Sequence, residues 1–262
     1  MNRQELIALI KNKREFKNLS TKFVENILEF YTASKIIEEL NKKDITTIVK
    51  KTRSKLREIY GAFLTKKFIK RFELLKEIKD LKDIEAHENI LSLHISSNER
   101  LPYYNEIYEK IFEITGKPKS ILDLGCGLNP LSLPFMKVKP KYFALELVED
   151  DAKFIQLYFD KVKIKGKAYT VDLINIDKKL PEADMCFMFK LLDTLECLKW
   201  DITENLLSNL KVKWIVASFA TLSLGGRKPI RKRNWFERII RDKKYETFSV
   251  KNEQFYVIEQ KH

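Results

Sequence analysis

The strongest chemical signal in the chain is the segment Ile121-Leu-Asp-Leu-Gly-Cys-Gly-Leu-Asn-Pro130, where a short apolar run leads into Gly-x-Gly. The apolar run predicts a buried strand, and the glycines predict a tight turn directly after it. Gly125 and Gly127 have no Cβ, so the backbone can adopt positive φ and approach a ligand closely. The segment therefore predicts a nucleotide-like ligand beside Asp123 and the turn, in which Cys126 serves as a small side chain.

The spacing after this turn argues against a dinucleotide ligand. The dinucleotide fingerprint needs a third small residue, G-x-G-x-x-G/A, where the pyrophosphate meets the start of a helix. Pro130 occupies that position here. A turn without the third glycine suits a ligand without phosphates, and S-adenosylmethionine is the leading candidate. The alternative is an ordinary corner between a strand and a helix that binds nothing.

Two acids follow the next two apolar runs. Glu146, followed by Leu147, comes about 20 residues after the glycine turn, where nucleotide-binding α/β folds place an acid that accepts hydrogen bonds from ribose hydroxyls. Its alternative role is that of a surface acid, because three further acids follow at residues 149–151. Asp172 ends the third apolar run and is the predicted partner of an adenine amino group, with Leu173 offering its backbone N–H.

The motifs that the sequence lacks narrow the chemistry further. The fourth apolar run ends Phe187-Met-Phe-Lys-Leu-Leu192, without the Asn/Asp-Pro-Pro-aromatic motif that grips an exocyclic amine. No Pro-Cys pair supplies a nucleophile for carbon-5 of a pyrimidine. Methyl transfer to a ring nitrogen with a free lone pair, such as guanine N7, needs neither motif, since orientation and electrostatics can carry it.

The elements that must position these residues follow from the hydrophobic pattern. Short apolar runs predict strands at 121–124, 142–147, 168–171, 185–189, 214–219 and 255–258, and helical spacing predicts helices at 150–161 and 203–210. This alternation predicts an α/β fold with a doubly wound parallel sheet, which binds ligands at the carboxyl ends of its strands. Residues 1–88 predict a basic helical domain for RNA docking, with Ser20 and Ser34 as helix caps, ahead of a ligand-binding domain at 89–262.

The net charge of +13 indicates a polyanionic partner, because cations that neutralise phosphates release counterions. The alternative is a generally basic surface, but the charge is uneven: residues 225–244 hold nine basic and two acidic residues. That distribution favours contact with nucleic acid. The candidate RNA-binding residues form two clusters, Lys50, Lys51, Arg53, Lys55 and Arg57 in the helical part and Arg227, Lys228, Arg231, Lys232 and Arg233 in the later segment.

Composition excludes other classes of protein. No apolar run approaches the roughly 20 residues of a membrane span, and the N-terminus lacks the layout of a signal peptide, so we expect a cytoplasmic protein without membrane contact. The three cysteines and three histidines show no metal-ligand spacing, so we expect no metal site and no disulfide framework. A charged fraction of 33% with only seven glycines is typical of thermophiles, including archaea.

Several separated blocks of sequence resemble the aminoglycoside-resistance 16S rRNA methyltransferases, which modify guanine N7 in the decoding region. The first is Gly127-Leu-Asn-Pro-Leu-x-Leu-Pro-Phe-Met136, and the second, His94-Ile-Ser-Ser-Asn-Glu-Arg100, precedes the glycine turn. The remaining blocks are residues 189–196, 218–227, 235–237 and 52–63. The resemblance spans nearly the whole chain and implies a class I Rossmann-like methyltransferase sheet behind a helical N-terminal extension.

The resemblance also implies roles for individual residues. Arg100 would pair with the carboxylate of the cofactor's methionine part, for which a planar guanidinium is suited; its alternative is a surface ion pair with Glu99 or Glu106. His94 would help to shape the same site. Lys190 would lie near the target base and Glu196 would support it, so both are predicted to be catalytic. The full set predicted to contact S-adenosylmethionine is His94, Arg100, Asp123, Gly125, Cys126, Gly127, Glu146, Leu147, Asp172, Leu173 and Phe189.

The chain departs from the family's pattern at Ala220, Leu222 and Asp193, all on the side expected to face RNA. We predict S-adenosylmethionine-dependent methylation of 16S rRNA in the assembled small (30S) subunit, at guanine N7 near the decoding site, by a monomer. The first alternative is methylation of another RNA or ring nitrogen, such as adenine N1 in tRNA. The second is a non-catalytic ribosome assembly factor, and the third, which leaves the basic regions unexplained, is a small-molecule methyltransferase.

Overall fold

A seven-stranded sheet organises the chain in this computed structural model, which describes residues 1–33, 35–176, 179–222, 229 and 233–260. Its strands are β1 Ser120–Leu124, β2 Lys141–Glu146, β3 Gly166–Thr170, β4 Ala183–Phe189, β5 Val212–Ala220, β6 Tyr245–Val250 and β7 Glu253–Glu259. The strand order is β3-β2-β1-β4-β5-β7-β6. The first five strands are parallel and β7 runs antiparallel to both neighbours, so the predicted doubly wound sheet is confirmed.

The strand order changes direction at β1, because β2 pairs with one edge of β1 and β4 pairs with the other. Ligands in open α/β sheets bind in the crevice at such a reversal, outside the carboxyl ends of the strands. Asp123 near the end of β1 lies in register with Ala144 of β2 and Phe187 of β4. The glycine turn therefore opens into the crevice between the ends of these three strands.

Twelve α-helices occupy the described residues. They are α1 Arg3–Lys11, α2 Thr21–Thr32, α3 Lys42–Ile59, α4 Arg71–Leu75, α5 Ile84–Leu91, α6 Ile95–Arg100, α7 Tyr104–Thr115, α8 Leu133–Met136, α9 Glu149–Val162, α10 Leu192–Glu196, α11 Ile202–Asn209 and α12 Asn234–Ile239. The predicted cap of α2 is confirmed, since Ser20 Oγ accepts the N–H of Phe23 at 3.1 Å. The other predicted cap, Ser34, lies outside the described residues.

The two faces of the sheet contribute to two buried apolar clusters, as expected when successive side chains alternate. The apolar faces of α1, α2 and α3 belong to the cluster that contains Leu122 and Leu124. Residues from Phe68 to Ile111 join the opposite cluster, which contains Ile121. The division into domains at residue 88 stays a prediction, and no helix in the described part of the chain is long and apolar enough to cross a membrane.

Candidate active site

One cavity at the carboxyl edge of β1, β2 and β4 is lined by all eleven residues that the sequence predicts to contact the cofactor. Lys190 lines it as well, whereas Glu196 is not among its lining residues. The walls combine backbone of the glycine turn, buried acids at strand ends and apolar side chains from the helical region. The geometry of each part shows what the cavity can hold.

The glycine turn forms the floor of the cavity with positive φ at both glycines, +59° at Gly125 and +53° at Gly127. A Cβ at Gly127 would lie 3.3 Å from the ring of His94, and one at Gly125 would lie 2.7 Å from Leu191 Cδ1. Side chains at these positions would therefore fill the space beside the turn as well as strain it. Both glycines are therefore required by the packing of the turn against His94 and Leu191, whose side chains also line the cavity.

Asp123 is buried beneath the turn, and its Oδ2 accepts hydrogen bonds from Asn129 Nδ2 at 2.9 Å and the Tyr142 hydroxyl at 2.6 Å. Burial raises the pKa of Asp123 to about 6, against the opposing effect of these two donors. The carboxylate thus fixes the segment after the turn to the neighbouring strand.

Glu146 at the end of β2 links that strand to the glycine turn. One carboxylate oxygen accepts the N–H of Gly127 and the other accepts the N–H of Leu147 at 3.1 Å. Burial, and then the charge of nearby Asp151, raise the pKa of Glu146 to about 7. Each oxygen has a second lone pair, so the side chain can still accept hydroxyl donors from a ligand.

Asp172 follows β3 and is half-buried at the cavity wall. Its Oδ1 accepts the N–H of Ile174 and its Oδ2 accepts Asn175 Nδ2, both at 3.0 Å. These bonds hold the turn that carries Leu173, which also lines the cavity. The acid and the backbone at the end of β3 are therefore rigidly placed together.

Arg100 is buried at the opposite side of the cavity and pairs with Glu253 at the start of β7. Its Nε donates to both carboxylate oxygens, at 2.9 and 3.0 Å, and its guanidinium lies 4.9 Å from the ring centre of Phe189. The alternative of a surface pair with Glu99 or Glu106 is wrong. Nη2 is 2.9 Å from Glu253 Oε1, but within the described residues it has no partner with hydrogen-bond geometry.

Glu253 is the buried counter-ion of this site, and sequence reasoning missed it. Its carboxylate contacts Arg100, lies 3.3 Å from Lys190 Nζ and accepts the Ser218 hydroxyl at 2.5 Å. Burial acts to raise the pKa of Glu253, but Arg100 and Lys190 hold it below its ordinary value. The only signal in the sequence was an acid directly before the apolar run of β7. Many surface acids occupy such a position, so it does not single out Glu253.

Lys190 follows β4 in a left-handed conformation, with φ +53°. Its backbone N–H donates to the carbonyl and hydroxyl oxygens of Ser218 on β5, at 3.0 and 3.1 Å. Its ammonium lies 2.6 Å from Glu99 Oε2, and the side chain is only 11% exposed. A left-handed backbone held by a neighbouring strand thus places Lys190 in the wall of the cavity.

His94 precedes α6 and stacks on Phe63, with ring centres 6.0 Å apart. Burial, together with the charges of Arg100 and Lys190, lowers its pKa to about 3, so the ring is neutral at physiological pH. Its Nδ1 is buried without a hydrogen-bond partner among the described residues. His94 therefore lines the cavity with a neutral ring.

The helical region, residues 1–88, covers the cavity with apolar side chains that form its roof. The sequence did not predict this contribution. The roof residues are Phe23, Ile59, Phe63, Leu64 and Phe68. Two polar contacts anchor the roof to α9: the Tyr60 hydroxyl donates to Asp151 Oδ2 at 2.6 Å, and Arg71 Nη2 donates to Oδ1 at 2.9 Å. Because roof and floor come from different regions, the cavity exists only when the two are packed together.

Glu196 has a structural setting rather than a place in the cavity. Its carboxylate accepts the N–H of Asp201 at 2.8 Å, and both the N–H and the hydroxyl of Thr203, at 3.2 and 2.7 Å. These bonds join α10 to the first turn of α11, where free N–H groups need acceptors. The geometry therefore gives no support to the predicted catalytic role of Glu196.

The basic cluster on α3 divides into paired and free residues. Arg53 donates to the carbonyls of Leu9 and Ile10 at the end of α1, at 2.6 and 3.2 Å. Arg57 pairs with Glu15 at 2.6 Å, and Lys55 pairs with Glu58 at 3.0 Å. Lys50 and Lys51 are exposed, with no acidic partner among the described residues. These two therefore present charge that a nucleic acid can reach, whereas Arg57, although 51% exposed, is already paired with an acid.

The later basic cluster falls mostly outside the described residues, which exclude Arg227, Lys228, Arg231 and Lys232. Arg233 is described: its Nε donates to Asp193 at 2.8 Å, and its Nη2 lies 2.5 Å from the same carboxylate. Nη2 also donates to the carbonyl of Ala220 at 3.3 Å. Asp193, one of the residues at which the chain departs from the family's pattern, therefore connects α10 to the segment before α12.

No group of three or more potential metal ligands occurs among the residues placed by the structure. The polar groups of the cavity instead suit an organic ligand with a carboxylate, a ribose and a base. Arg100, the glycine turn and the strand-end acids Glu146 and Asp172 all line the cavity. These features fit the parts of S-adenosylmethionine.

Comparison with known proteins agrees with this geometry. The profile of the ribosomal RNA methyltransferase (FmrO) family matches residues 28–252. A 16S rRNA (guanine(1405)-N(7))-methyltransferase of Micromonospora echinospora is 30% identical over 234 residues, 82% of this chain and 84% of that protein. The Proteus mirabilis enzyme of the same name is 31% identical over 204 residues, 68% of this chain and 69% of its own.

Solved structures extend the similarity to the whole fold. The 16S rRNA methyltransferase RmtF, in complex with S-adenosyl-L-homocysteine, matches with a TM-score of 0.84 and 26% identity, covering all of both chains. The 16S rRNA methylase RmtB shares the fold with a TM-score of 0.79 at 23% identity, over 100% of this chain and 99% of that one. Profile, sequence and fold agree, and the chain belongs to the FmrO family of ribosomal RNA methyltransferases.

Proposed function

We propose that this chain transfers the methyl group of S-adenosylmethionine to 16S rRNA in the assembled small ribosomal subunit, at N7 of a guanine near the decoding site. The observation that carries the proposal is the strand-end cavity, where a backbone-lined turn, two strand-end acids and a buried arginine surround one space. The names of the relatives supply the substrate, 16S rRNA, and the atom, guanine N7.

The residues that would hold the cofactor follow from the available groups of the cavity. Arg100 would meet the carboxylate through Nη2, the atom that Glu253 leaves without a well-oriented bond. Glu146 would accept the ribose hydroxyls on its remaining lone pairs. Asp172 and the backbone of Leu173 would meet the adenine. These assignments agree with the roles that the sequence predicts.

The reaction at guanine N7 needs no general base. When bound, S-adenosylmethionine supplies a methyl group on a positively charged sulfur. The N7 lone pair forms the new bond to carbon while the electron pair of the carbon–sulfur bond returns to sulfur, so no proton has to leave. The chain's task is then to orient the base and exclude water, which positioning alone can accomplish. Lys190, which lines the cavity, would meet the incoming nucleotide.

The surfaces that would contact RNA lie on both regions. Lys50 and Lys51 present exposed charge on the helical region, and the basic segment at 225–244 follows β5 in the chain. Two separate basic surfaces suit recognition of folded RNA by its shape, which favours the assembled subunit over a short single strand. A monomer is sufficient, because one chain supplies every group that we assign to the cavity.

Transfer of labelled methyl from S-adenosylmethionine to purified 30S subunits, naked 16S rRNA, 50S subunits and tRNA tests the proposal. Borohydride–aniline cleavage then maps 7-methylguanine. We expect label on 30S subunits with a cleavage stop in the decoding helix. Label without cleavage would move the chemistry to another atom, such as adenine N1, and equal labelling of tRNA would overturn the small-subunit assignment.

Variants of the cavity link the label to this site. Gly127→Leu places a side chain against His94 and strains a positive-φ position, so it should abolish cofactor binding and transfer together. Glu149→Gln changes an exposed acid on α9 and serves as the matched control. Cofactor binding by the wild-type chain without label on any RNA would instead support an assembly factor.

A further inference from the structure

Glu99 contacts Lys190, which lines the cavity. Glu99 Oε2 lies 2.6 Å from Lys190 Nζ, and the Glu99 side chain is 56% exposed. Lys190 Nζ also lies 3.3 Å from Glu253 Oε2, but that carboxylate is bonded to Arg100 as well, so Glu99 is the second acid beside two cations. The exposed part of Glu99 keeps its carboxylate accessible beside a cation that lines the cavity, so a base that enters the cavity can meet both groups.

We propose that Glu99 and Lys190 together recognise the target guanine, through its N1–H and its O6. This inference rests on the proposed function and names the residues that select the base. Guanine presents an acceptor, O6, directly beside a donor, N1–H, and continues with the 2-amino group. An ammonium and a carboxylate held one hydrogen-bond length apart offer the complementary order of donor and acceptor.

The same pair rejects adenine. Adenine presents a 6-amino donor where guanine has O6, and an unprotonated N1 where guanine has N1–H. Lys190 would then face a donor and Glu99 would face a lone pair, so both groups would be left unsatisfied. A site whose donors and acceptors match one ligand discriminates strongly against a ligand in which donors and acceptors are exchanged. The order of charges in this pair thus specifies guanine.

The contact also becomes stronger during the reaction. As the bond between N7 and the methyl carbon forms, the purine gains positive charge and its N1–H becomes more acidic. A carboxylate on that N–H therefore binds the transition state more tightly than the ground state. Glu99 and Glu253 also offset the charge of Lys190, which would otherwise oppose the charge developing on the base. Glu99 is on this argument a specificity-determining residue that contributes to kcat.

Glu99→Gln tests the proposal with 30S subunits that carry guanine or adenine at the methylated position. We expect kcat/KM on guanine to fall about 10- to 100-fold, mainly in kcat, because a neutral amide replaces the carboxylate. Discrimination against adenine should fall as well, since the amide N–H can donate to adenine N1. Calorimetric affinity for S-adenosylmethionine should stay unchanged. Glu106→Gln is the control, because Glu106 is a similarly exposed acid paired with Lys110.

The outcomes are distinct for the inference and for the proposed function. No transfer to guanine subunits by the wild-type chain would remove the proposed function itself. An active wild type with Glu99→Gln within threefold of it would overturn only the role of Glu99. A decrease that vanishes in a Lys190→Gln background would show that Glu99 acts solely through the lysine, and would also overturn it. A decrease that persists in that background supports direct contact with the base.

Discussion

The helical region and the sheet region build opposite sides of one cavity by different means. The sheet contributes polar groups at strand ends, such as Asp123 and Glu146, and backbone from the glycine turn. The helical region contributes apolar side chains, and its Tyr60 and Arg71 both donate hydrogen bonds to Asp151. The floor therefore supplies specific hydrogen bonds, whereas the roof supplies exclusion of water. The hydrogen-bonding groups of the floor come from strand ends and the turn, whereas the enclosing side chains come from helices distant in the chain.

The two regions also differ in how they use their basic residues. On α3, Arg53 and Arg57 pack the helices together, and Lys50 and Lys51 supply the exposed charge of that cluster. On the sheet region, Arg233 clamps α10 through Asp193. A basic sequence cluster therefore overstates the number of cations that are available to RNA. Four sets of substitutions test this division between floor and roof, and between structural and exposed charge.

The largest effect is expected from Asp151→Asn, which breaks the anchor between the two regions. Arg71 is left buried without its counter-ion, and removal of one partner of a buried pair costs about 3–5 kcal/mol. Urea unfolding should show this decrease in stability, and calorimetry should show weaker cofactor binding because the roof is released. The exposed pair of Glu149 with Lys153 is the control, and Glu149→Gln should leave both quantities unchanged. A stable variant with normal cofactor affinity would show that roof and floor are independent.

The second effect concerns the floor and depends on pH. The pKa of Glu146 is raised to about 7, and the ionised form is the better acceptor of ribose hydroxyls. Affinity for S-adenosylmethionine should therefore increase about tenfold from pH 6 to pH 8, as this single group ionises. Glu146→Gln should bind more weakly and show a flat profile. A pH dependence that survives the substitution would assign the titration to another group, Asp123 being the next candidate.

The same group gives a stability prediction of opposite sign. A carboxyl whose folded-state pKa lies above its unfolded value binds more protons when folded. Its contribution to the free energy of unfolding is therefore largest at low pH and disappears as the pH rises from about 4.5 to about 7. In urea titrations, the stability of the wild type relative to Glu146→Gln should therefore fall as the pH rises over this range, because Gln does not ionise. Parallel curves would contradict the raised pKa.

The third effect separates exposed from structural charge on α3. Lys50→Ala/Lys51→Ala should weaken binding to 30S subunits and reduce the slope of log affinity against log salt by about one unit for each phosphate that is no longer neutralised. Folding should be unaffected, because both side chains are exposed. Arg57→Ala is the contrast. The charge of Arg57 is already paired with Glu15, so this variant should reduce the salt slope less than the double lysine variant does. Equal slopes in all three proteins would place the RNA contact elsewhere.

The smallest effect is expected at the departure from the family's pattern. Asp193→Ala removes the bidentate partner of Arg233 at a half-exposed position, so we expect the free energy of unfolding to fall by about 1 kcal/mol. Methyl transfer should change little if the clamp is only structural. A large decrease in transfer with intact stability would show that Asp193 orients the RNA-facing segment.

The fold was largely predictable because periodicity marks buried strands. Six of the seven strands and the helices at 150–161 and 203–210 are confirmed within a few residues of their predicted bounds. The missed strand, Tyr245–Val250, lies at the edge of the sheet, and most of its residues are exposed. An edge strand with little buried surface has no apolar alternation to reveal it. The apolar roof residues were missed for a related reason, since their helical spacing indicates a helix core and not which cavity it covers.

The floor of the cavity was present in the sequence, because the glycine turn and the acids at the ends of the next two strands follow from the alternation of strands and helices. Contacts between residues from distant segments could be identified only in the folded structure. Tertiary packing placed Glu253 between Arg100 and Lys190, used Glu196 to join α10 to α11, and bonded Arg53 to the end of α1. Ion pairs of this kind depend on which side chains folding brings within a few ångströms, and sequence spacing carries no record of that distance.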